Sequence, residues 1–131
     1  MSESFPYERD RRFAAIWLPL LIGPGVQGVT LTDGGQLIAR YGLLQLETAL
    51  SNVADAHVTG PYRWWTAVGP RLSLADDGLT FGTNNIGGVC VHFRAKVPSA
   101  LRHRGHSALT VTVANVAGLV AALEEAQRRL T

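Results

Sequence analysis

The sequence has little cysteine and little charge, and both shortages exclude kinds of structure. Cys90 is the single cysteine among 131 residues, so an internal disulfide and a multi-cysteine zinc site are both excluded. This cysteine usage fits a reducing compartment, and we expect a cytoplasmic protein. Charged residues make up 17% of the chain, with a net charge of +2. The dense lysine and arginine stripe of nucleic-acid-binding proteins is missing, so we expect no nucleic-acid partner.

Long apolar runs are also missing. The uncharged stretch 13–31 is interrupted by Pro19, Pro24 and several glycines, whereas a membrane-spanning helix needs about 20 mostly apolar residues. The GPGVQG segment in this stretch is a poor cleavage site for a signal peptide. We therefore expect no integral membrane span.

Recognisable catalytic motifs are absent from the sequence. It contains no phosphate-binding loop, no serine nucleophile elbow and no HExxH motif. Cys90 and His92 lie two residues apart in a predicted strand, where a metal would need further ligands and proton transfer between parallel side chains is poorly oriented. Aspartates fit turns or strand ends at positions Asp33, Asp55, Asp76 and Asp77. The sequence predicts no catalytic residue, no metal and no cofactor, and an enzyme ranks third among the possible functions.

The sequence does contain many short segments in which apolar and polar residues alternate. From Val26 onward this period of two predicts strands separated by turns, including a hairpin turn at Asp33–Gly35. Predicted strands are VTLTD, QLIARYG, LQLETALSNV, DAHVTG, YRWWTAV, RLSLA, LTFGT, VCVHFRA and ALTVTVA, and KVPSALRHRGHS is predicted to be a loop. This pattern is typical of an antiparallel meander in a barrel or sandwich.

The two ends of the chain differ from this pattern. Residues 1–12 are polar and suggest a loose tail or a helix start, and the apolar residues after them fit either a helix or a strand. We therefore divide the chain into an N-terminal tail and ambiguous segment, 1–25, and one domain, 26–131. At the C-terminus, Asn115 is a good N-cap. An apolar face with helical spacing follows at Val116, Leu119, Val120, Leu123 and Leu130.

The segments VTLTDGGQLIARYGLLQLETALSNVADAHVTG and ALTVTVANVAGLVAALEEA resemble the bacterial pleckstrin-homology-like (PH-like) domains, in their stand-alone actinobacterial form. TALSNVADA carries much of this likeness, which covers roughly residues 26–130. The resemblance implies a seven-stranded bent barrel with a C-terminal helix, and for function it implies binding, scaffolding or oligomerisation. We expect a mainly β fold: a PH-like bent antiparallel barrel or two-sheet sandwich, capped by a C-terminal amphipathic helix.

Strand parity predicts which side chains of the meander face outward. Successive side chains of a strand alternate, so Trp64 should face the core while Arg63 and Trp65 face outward. The same alternation places Arg71, Ser73, Cys90, His92 and Arg94 outside, and Val89, Val91 and Phe93 inside. This outer face is predicted to be basic and to lack acids. The predicted loop adds a second basic group, formed by Arg102, His103 and Arg104.

Such a face has three possible roles. Arginines can bind an anion through paired donors, tryptophan and arginine can anchor a subunit interface, and a sheet face can simply be solvated. We expect a non-catalytic binding or assembly module that self-associates, or binds a protein partner, through a sheet edge or the outer meander face. The alternative is a domain that binds a small anionic ligand or a lipid head group. The candidate binding residues are Arg63, Trp65, Arg71, Ser73, His92, Arg94, Arg102, His103 and Arg104.

Overall fold

A computed structural model describes residues 3–8, 12, 27–42, 44–59, 69–72, 78–82, 87–99 and 102–130, with the backbone alone at 69–72, 102, 103 and 130. Along the chain these residues form strands, one 3-10 turn and one helix. The strands are β1 (Glu3–Pro6), β2 (Gly28–Leu31), β3 (Gln36–Tyr41), β4 (Leu44–Ala49), β5 (Val53–Thr59), β6 (Gly69–Leu72), β7 (Leu79–Gly82), β8 (Gly88–Ser99) and β9 (Arg102–Val111). The 3-10 turn is Leu50–Asn52, between β4 and β5, and the helix α1 is Val116–Leu130.

The strands form two sheets, which confirms a mainly β fold with a C-terminal helix. One sheet has the order β1-β2-β3-β4, and the other has the order β5-β8-β9-β7-β6. Neighbouring strands are antiparallel except β7 and β9, which are parallel. Within the described ranges, only an isolated antiparallel bridge between Tyr7 and Val113, just beyond the ends of β1 and β9, joins the two sheets. The fold is therefore sandwich-like and not a closed barrel.

The core lies between the two sheets and under the helix. Tyr41 of β3 stacks on Phe81 of β7, with ring centroids 5.5 Å apart, and the Tyr41 hydroxyl donates a hydrogen bond to the Gly82 carbonyl at 3.0 Å. Leu119 and Leu123 of α1 are also buried in this core. Apolar residues at alternate strand positions thus meet across the sandwich, as the period of two predicted.

The hairpin between β2 and β3 forms at the predicted turn. The Gln36 amide donates to the Thr32 hydroxyl at 3.1 Å, and the Thr32 amide donates to the Gln36 carbonyl at 2.9 Å. Gly35 has φ +81°, a conformation that glycine adopts without steric cost. The turn residues therefore set the register that buries Leu37 and Ala39.

The prediction that KVPSALRHRGHS is a loop is wrong, because most of this segment continues the sheet. β8 extends to Ser99 and β9 begins at Arg102, and these two residues are register partners. Val97 and His106 are also partners and both are buried, so inward-facing positions continue through the segment. Its proline and glycine suggested a loop, but the pairing accommodates such residues through register shifts on both sides of Val97.

Strand β1 was not predicted. Glu3–Pro6 pairs with Gly28–Leu31, and Phe5 and Tyr7 are buried in the core. Two inward-facing aromatic residues among charged ones gave too short a pattern to identify a strand. The boundary proposed at residues 25 and 26 falls in 13–26, outside the described residues.

The helix begins where the cap predicts. The Asn115 side-chain oxygen accepts the Gly118 amide at 3.0 Å, and the Asn115 carbonyl accepts the Leu119 amide at 3.1 Å. At the other end, the Gln127 side-chain amide donates to the Val53 carbonyl and fixes the helix against β5. None of the helical segments in the described ranges is both long and apolar enough to cross a membrane.

Candidate functional site

The outer face of β5 and β8 holds a block of four polar side chains, which we call the β5–β8 cluster: Asp55, His57, Cys90 and His92. Asp55 is the register partner of His92, and His57 is the register partner of Cys90. Residues two apart in a strand share a face, so two adjacent strands place all four side chains together. The cluster is therefore a direct product of sheet pairing.

Burial along β8 confirms the predicted strand parity. Val89, Val91 and Phe93 are buried, whereas Cys90 and His92 are half-buried and Arg94 is exposed. Hydrophobic burial on the inner face thus fixes which side of the sheet carries the polar cluster.

Asp55 lies closest to the other members of the cluster. Its Oδ1 is 2.7 Å from His92 Nδ1 and 3.9 Å from His57 Nδ1. An ionised carboxylate only accepts hydrogen bonds, so His92 donates its Nδ1 proton to Asp55. The two imidazole rings stack with centroids 5.4 Å apart and an angle of 26° between planes. Cys90 Sγ lies on the other side of the His92 ring, 3.9 Å from Nε2.

The prediction that this face lacks acids is wrong. It considered only the meander that follows β5, but β5 itself is the neighbour of β8. Asp55 therefore lies directly beside His92, at hydrogen-bonding distance. The carboxylate offsets positive charge on the part of the face where an anion was expected to bind.

The other predicted site residues are not all brought together. Arg71 is on β6, which β9 and β7 separate from β8, so it does not neighbour His92. Arg94 is exposed and its Nε donates to the Ser51 carbonyl at 3.2 Å. Arg104 is exposed on β9. Arg102 and His103 are also on β9, and only their backbone is described. Arg63, Trp64, Trp65 and Ser73 lie outside the described residues.

A groove of about 280 Å³ lies between the β2–β3 turn and α1. Its charged lining residues are Glu3, Asp33, Glu125 and Arg129. Glu125 forms ion pairs with Arg128 at 2.7 Å and Arg129 at 3.2 Å. Hydrogen bonding to Arg128, and then the Arg129 guanidinium, lowers the pKa of the Glu125 carboxyl. The groove therefore has more acids than bases among its lining residues, which does not favour an anionic ligand.

Comparison of the chain with known protein families, with curated proteins and with solved structures finds no match. The resemblance to PH-like domains therefore stays a prediction. The functional proposals that follow are based on the contacts, charges and exposed edges of this chain.

The β5–β8 cluster was missed in the sequence, although half of its signal was visible. DAH and CVH each place two ligand-type residues two apart in a predicted strand. Taken alone, CVH lacks the further ligands that a metal needs. Nothing local in the sequence indicates that DAH and CVH are adjacent, because strand pairing depends on distant contacts. Two such pairs on predicted strands are the sequence signal for this kind of site.

Proposed function

We propose that the chain is a non-catalytic assembly module that self-associates through the free edge of β5. This strand ends the five-stranded sheet, and β8 is its only partner among the described residues. Val58 on this strand is 54% exposed, and among the described residues it is the one large hydrophobic residue that is exposed. An edge strand presents unpaired amides and carbonyls, which invite pairing with another strand. This combination of edge and exposed valine carries the proposal.

The helix limits pairing to one end of the edge. Gln127 binds the Val53 carbonyl, and residues of α1 and of the start of β5 together line a small groove of about 130 Å³. α1 thus covers the beginning of the strand. The end of the strand, His57–Thr59, extends beyond the residues that line this groove.

A second copy of the chain fits this short edge. A twofold axis brings the same surface of two chains together, and antiparallel pairing about Val58 places the two Val58 side chains beside each other. Each copy then covers the exposed valine of the other. Because so few residues pair, we expect a weak dimer whose population rises with protein concentration.

The charge distribution supports assembly over the anionic-ligand alternative. The Asp55 carboxylate lies beside His92 within the surface that was predicted to be basic. The Arg94 guanidinium is hydrogen-bonded to the 3-10 turn. Acids also predominate in the groove beside α1. These contacts leave less unopposed positive charge for a phosphate or lipid head group than the sequence predicted.

Light scattering coupled to size-exclusion chromatography tests the proposal. The wild-type mass should rise above the monomer value of 14.1 kDa as the loading concentration increases. Val58→Lys should stay monomeric, because a lysine on an edge strand opposes pairing. Gln45→Lys is the matched control, since it adds the same charge at an exposed position of β4 in the other sheet.

Two outcomes contradict the proposal. One is a wild-type chain that stays monomeric at every accessible concentration. The other is association of Val58→Lys to the same extent as the wild type, which would place the interface elsewhere.

A further inference from the structure

Three members of the β5–β8 cluster carry possible metal-ligand atoms that lie close together. One oxygen of Asp55 and one ring nitrogen each of His57 and His92 all lie within 4.8 Å of one another. They are held on two paired strands, two of them by spacing along β5 and the third by register with Asp55. Side chains directly opposite on antiparallel strands have Cβ atoms about 4.5–5.5 Å apart. The backbone thus fixes the spacing and leaves only side-chain rotation free.

We propose that Asp55, His57 and His92 bind a divalent transition metal ion, with Zn²⁺ as the best match. Zinc takes imidazole nitrogen and carboxylate oxygen ligands at about 2.0–2.2 Å. Tetrahedral ligand atoms around such an ion lie roughly 3.3 Å apart. Because the three atoms lie within 4.8 Å of one another, the widest pair must close by up to about 1.5 Å. Asp55 Oδ1 and His92 Nδ1, now 2.7 Å apart, must instead separate slightly, and the ion displaces the proton between them. The side chains have room for that rotation, because their exposed fractions are 64% for Asp55, 53% for His57 and 44% for His92.

The donor set determines which ion the site prefers. Two imidazoles and one carboxylate suit zinc, nickel and copper, whereas magnesium and calcium prefer oxygen ligands throughout. Three protein ligands leave a coordination position for water or an added ligand. Cys90 lies beside Nε2 of His92, whereas Nδ1 is the nitrogen beside Asp55. Cys90 is therefore not included in the set.

The metal site goes beyond the proposed assembly function and does not depend on it. All three ligand atoms belong to one chain, so a monomer is sufficient to bind the ion. Titration of the Val58→Lys variant with zinc separates the two proposals. Zinc binding by a monomeric Val58→Lys chain supports the metal site whatever the wild-type oligomeric state.

Isothermal titration calorimetry with zinc chloride tests the site, using protein that carries no polyhistidine tag. We expect one Zn²⁺ per wild-type chain and no detectable heat with Mg²⁺. The double variant His57→Gln/His92→Gln and the single variant Asp55→Asn should each bind zinc at least about tenfold more weakly. Asp33→Asn, which removes an exposed carboxylate at the β2–β3 turn, should leave the affinity unchanged.

A second measurement guards against variants that fail to fold. Zinc should shift the imidazole NMR signals of His57 and His92 in the wild-type chain and leave the signals of the buried His106 unchanged. The proposal is overturned if the wild type binds no zinc, or if the folded double variant binds it as tightly as the wild type. Equal loss of affinity in Asp33→Asn would also overturn it.

Discussion

Gly105 shows how one residue sets the path of the β8–β9 hairpin. Its φ is +97°, and a Cβ atom at this position would lie 2.8 Å from Lys96 Cβ and 3.2 Å from the Val97 amide nitrogen. An L-residue would meet both an unfavourable backbone conformation and a neighbouring strand. Glycine is therefore required here to continue β9, although in the sequence it suggested a loop.

We predict that Gly105→Ala lowers the free energy of unfolding by about 1–3 kcal/mol, because the backbone strain and the close contact add. Urea denaturation followed by circular dichroism measures the loss. Gly34→Ala is the control, since its added Cβ would meet only the Thr32 hydroxyl, at 3.9 Å. A control that loses as much stability as Gly105→Ala would show that the contact with β8 is not the cause.

At the scale of single residues, the sequence predicts which side of a strand a side chain faces better than it predicts which distant residues come into contact. The inward positions Val89, Val91 and Phe93 follow from alternation, because burial of one face is a local pattern. The contact between Asp55 and His92 does not follow, since the two residues are 37 positions apart in the chain. Only the pairing of β5 with β8 brings them together.

Elements with a local start signal were the most predictable. The β2–β3 turn is encoded by an Asp-Gly-Gly sequence, and the start of α1 by an asparagine before an apolar face. Strand β1 and the extension of β8 lack such signals. Their backbones are extended because they pair with neighbouring strands. This pairing overrides the local preference of proline and glycine for loops.

For the helix, we predict that Asn115→Ala lowers the free energy of unfolding by about 1 kcal/mol, because the Gly118 amide loses its side-chain acceptor. Asn115→Asp should stay within a few tenths of a kcal/mol of wild type, since aspartate also caps and favours the positive end of the helix. Chemical denaturation of the three proteins under the same conditions compares them. Equal losses in both variants would exclude capping as the explanation.

At the scale of the whole molecule, the order of strands in the second sheet could not be read from the sequence. A meander predicts that β7 neighbours β8, but β9 inserts between them and pairs in parallel with β7. This arrangement separates Arg71 from His92 and makes β5 both the sheet edge and the partner of β8. The insertion of β9 therefore determines both the proposed metal site and the edge proposed for assembly.

Two buried phenols lie between the sheets and should respond differently to the loss of their hydroxyl groups. Tyr41 and Tyr7 have ring centroids 5.7 Å apart. The Tyr41 hydroxyl donates to Gly82 across the sandwich, whereas the described residues offer no hydrogen-bond partner to the Tyr7 hydroxyl. Burial, and secondarily the nearby Tyr41, raises the pKa of Tyr7 well above its usual value.

We predict that Tyr41→Phe lowers the free energy of unfolding by about 1 kcal/mol at neutral pH, because the Gly82 carbonyl loses a donor. Tyr7→Phe should leave it unchanged or raise it, since it removes a buried hydroxyl without a partner. The two variants should also differ in alkaline solution. Because the pKa of Tyr7 is higher in the folded chain, unfolding releases its proton above about pH 10, and wild-type stability falls as pH rises further.

Tyr7→Phe removes this contribution, so its stability relative to wild type should grow above about pH 10. Urea denaturation at several pH values from neutral upward measures that difference directly, and other titrating groups common to both proteins cancel to a first approximation. A difference that stays constant with pH would mean that Tyr7 ionises as readily in the folded chain as in the unfolded one. The space between the sheets would then be accessible to water at this phenol, contrary to its burial in the sandwich core.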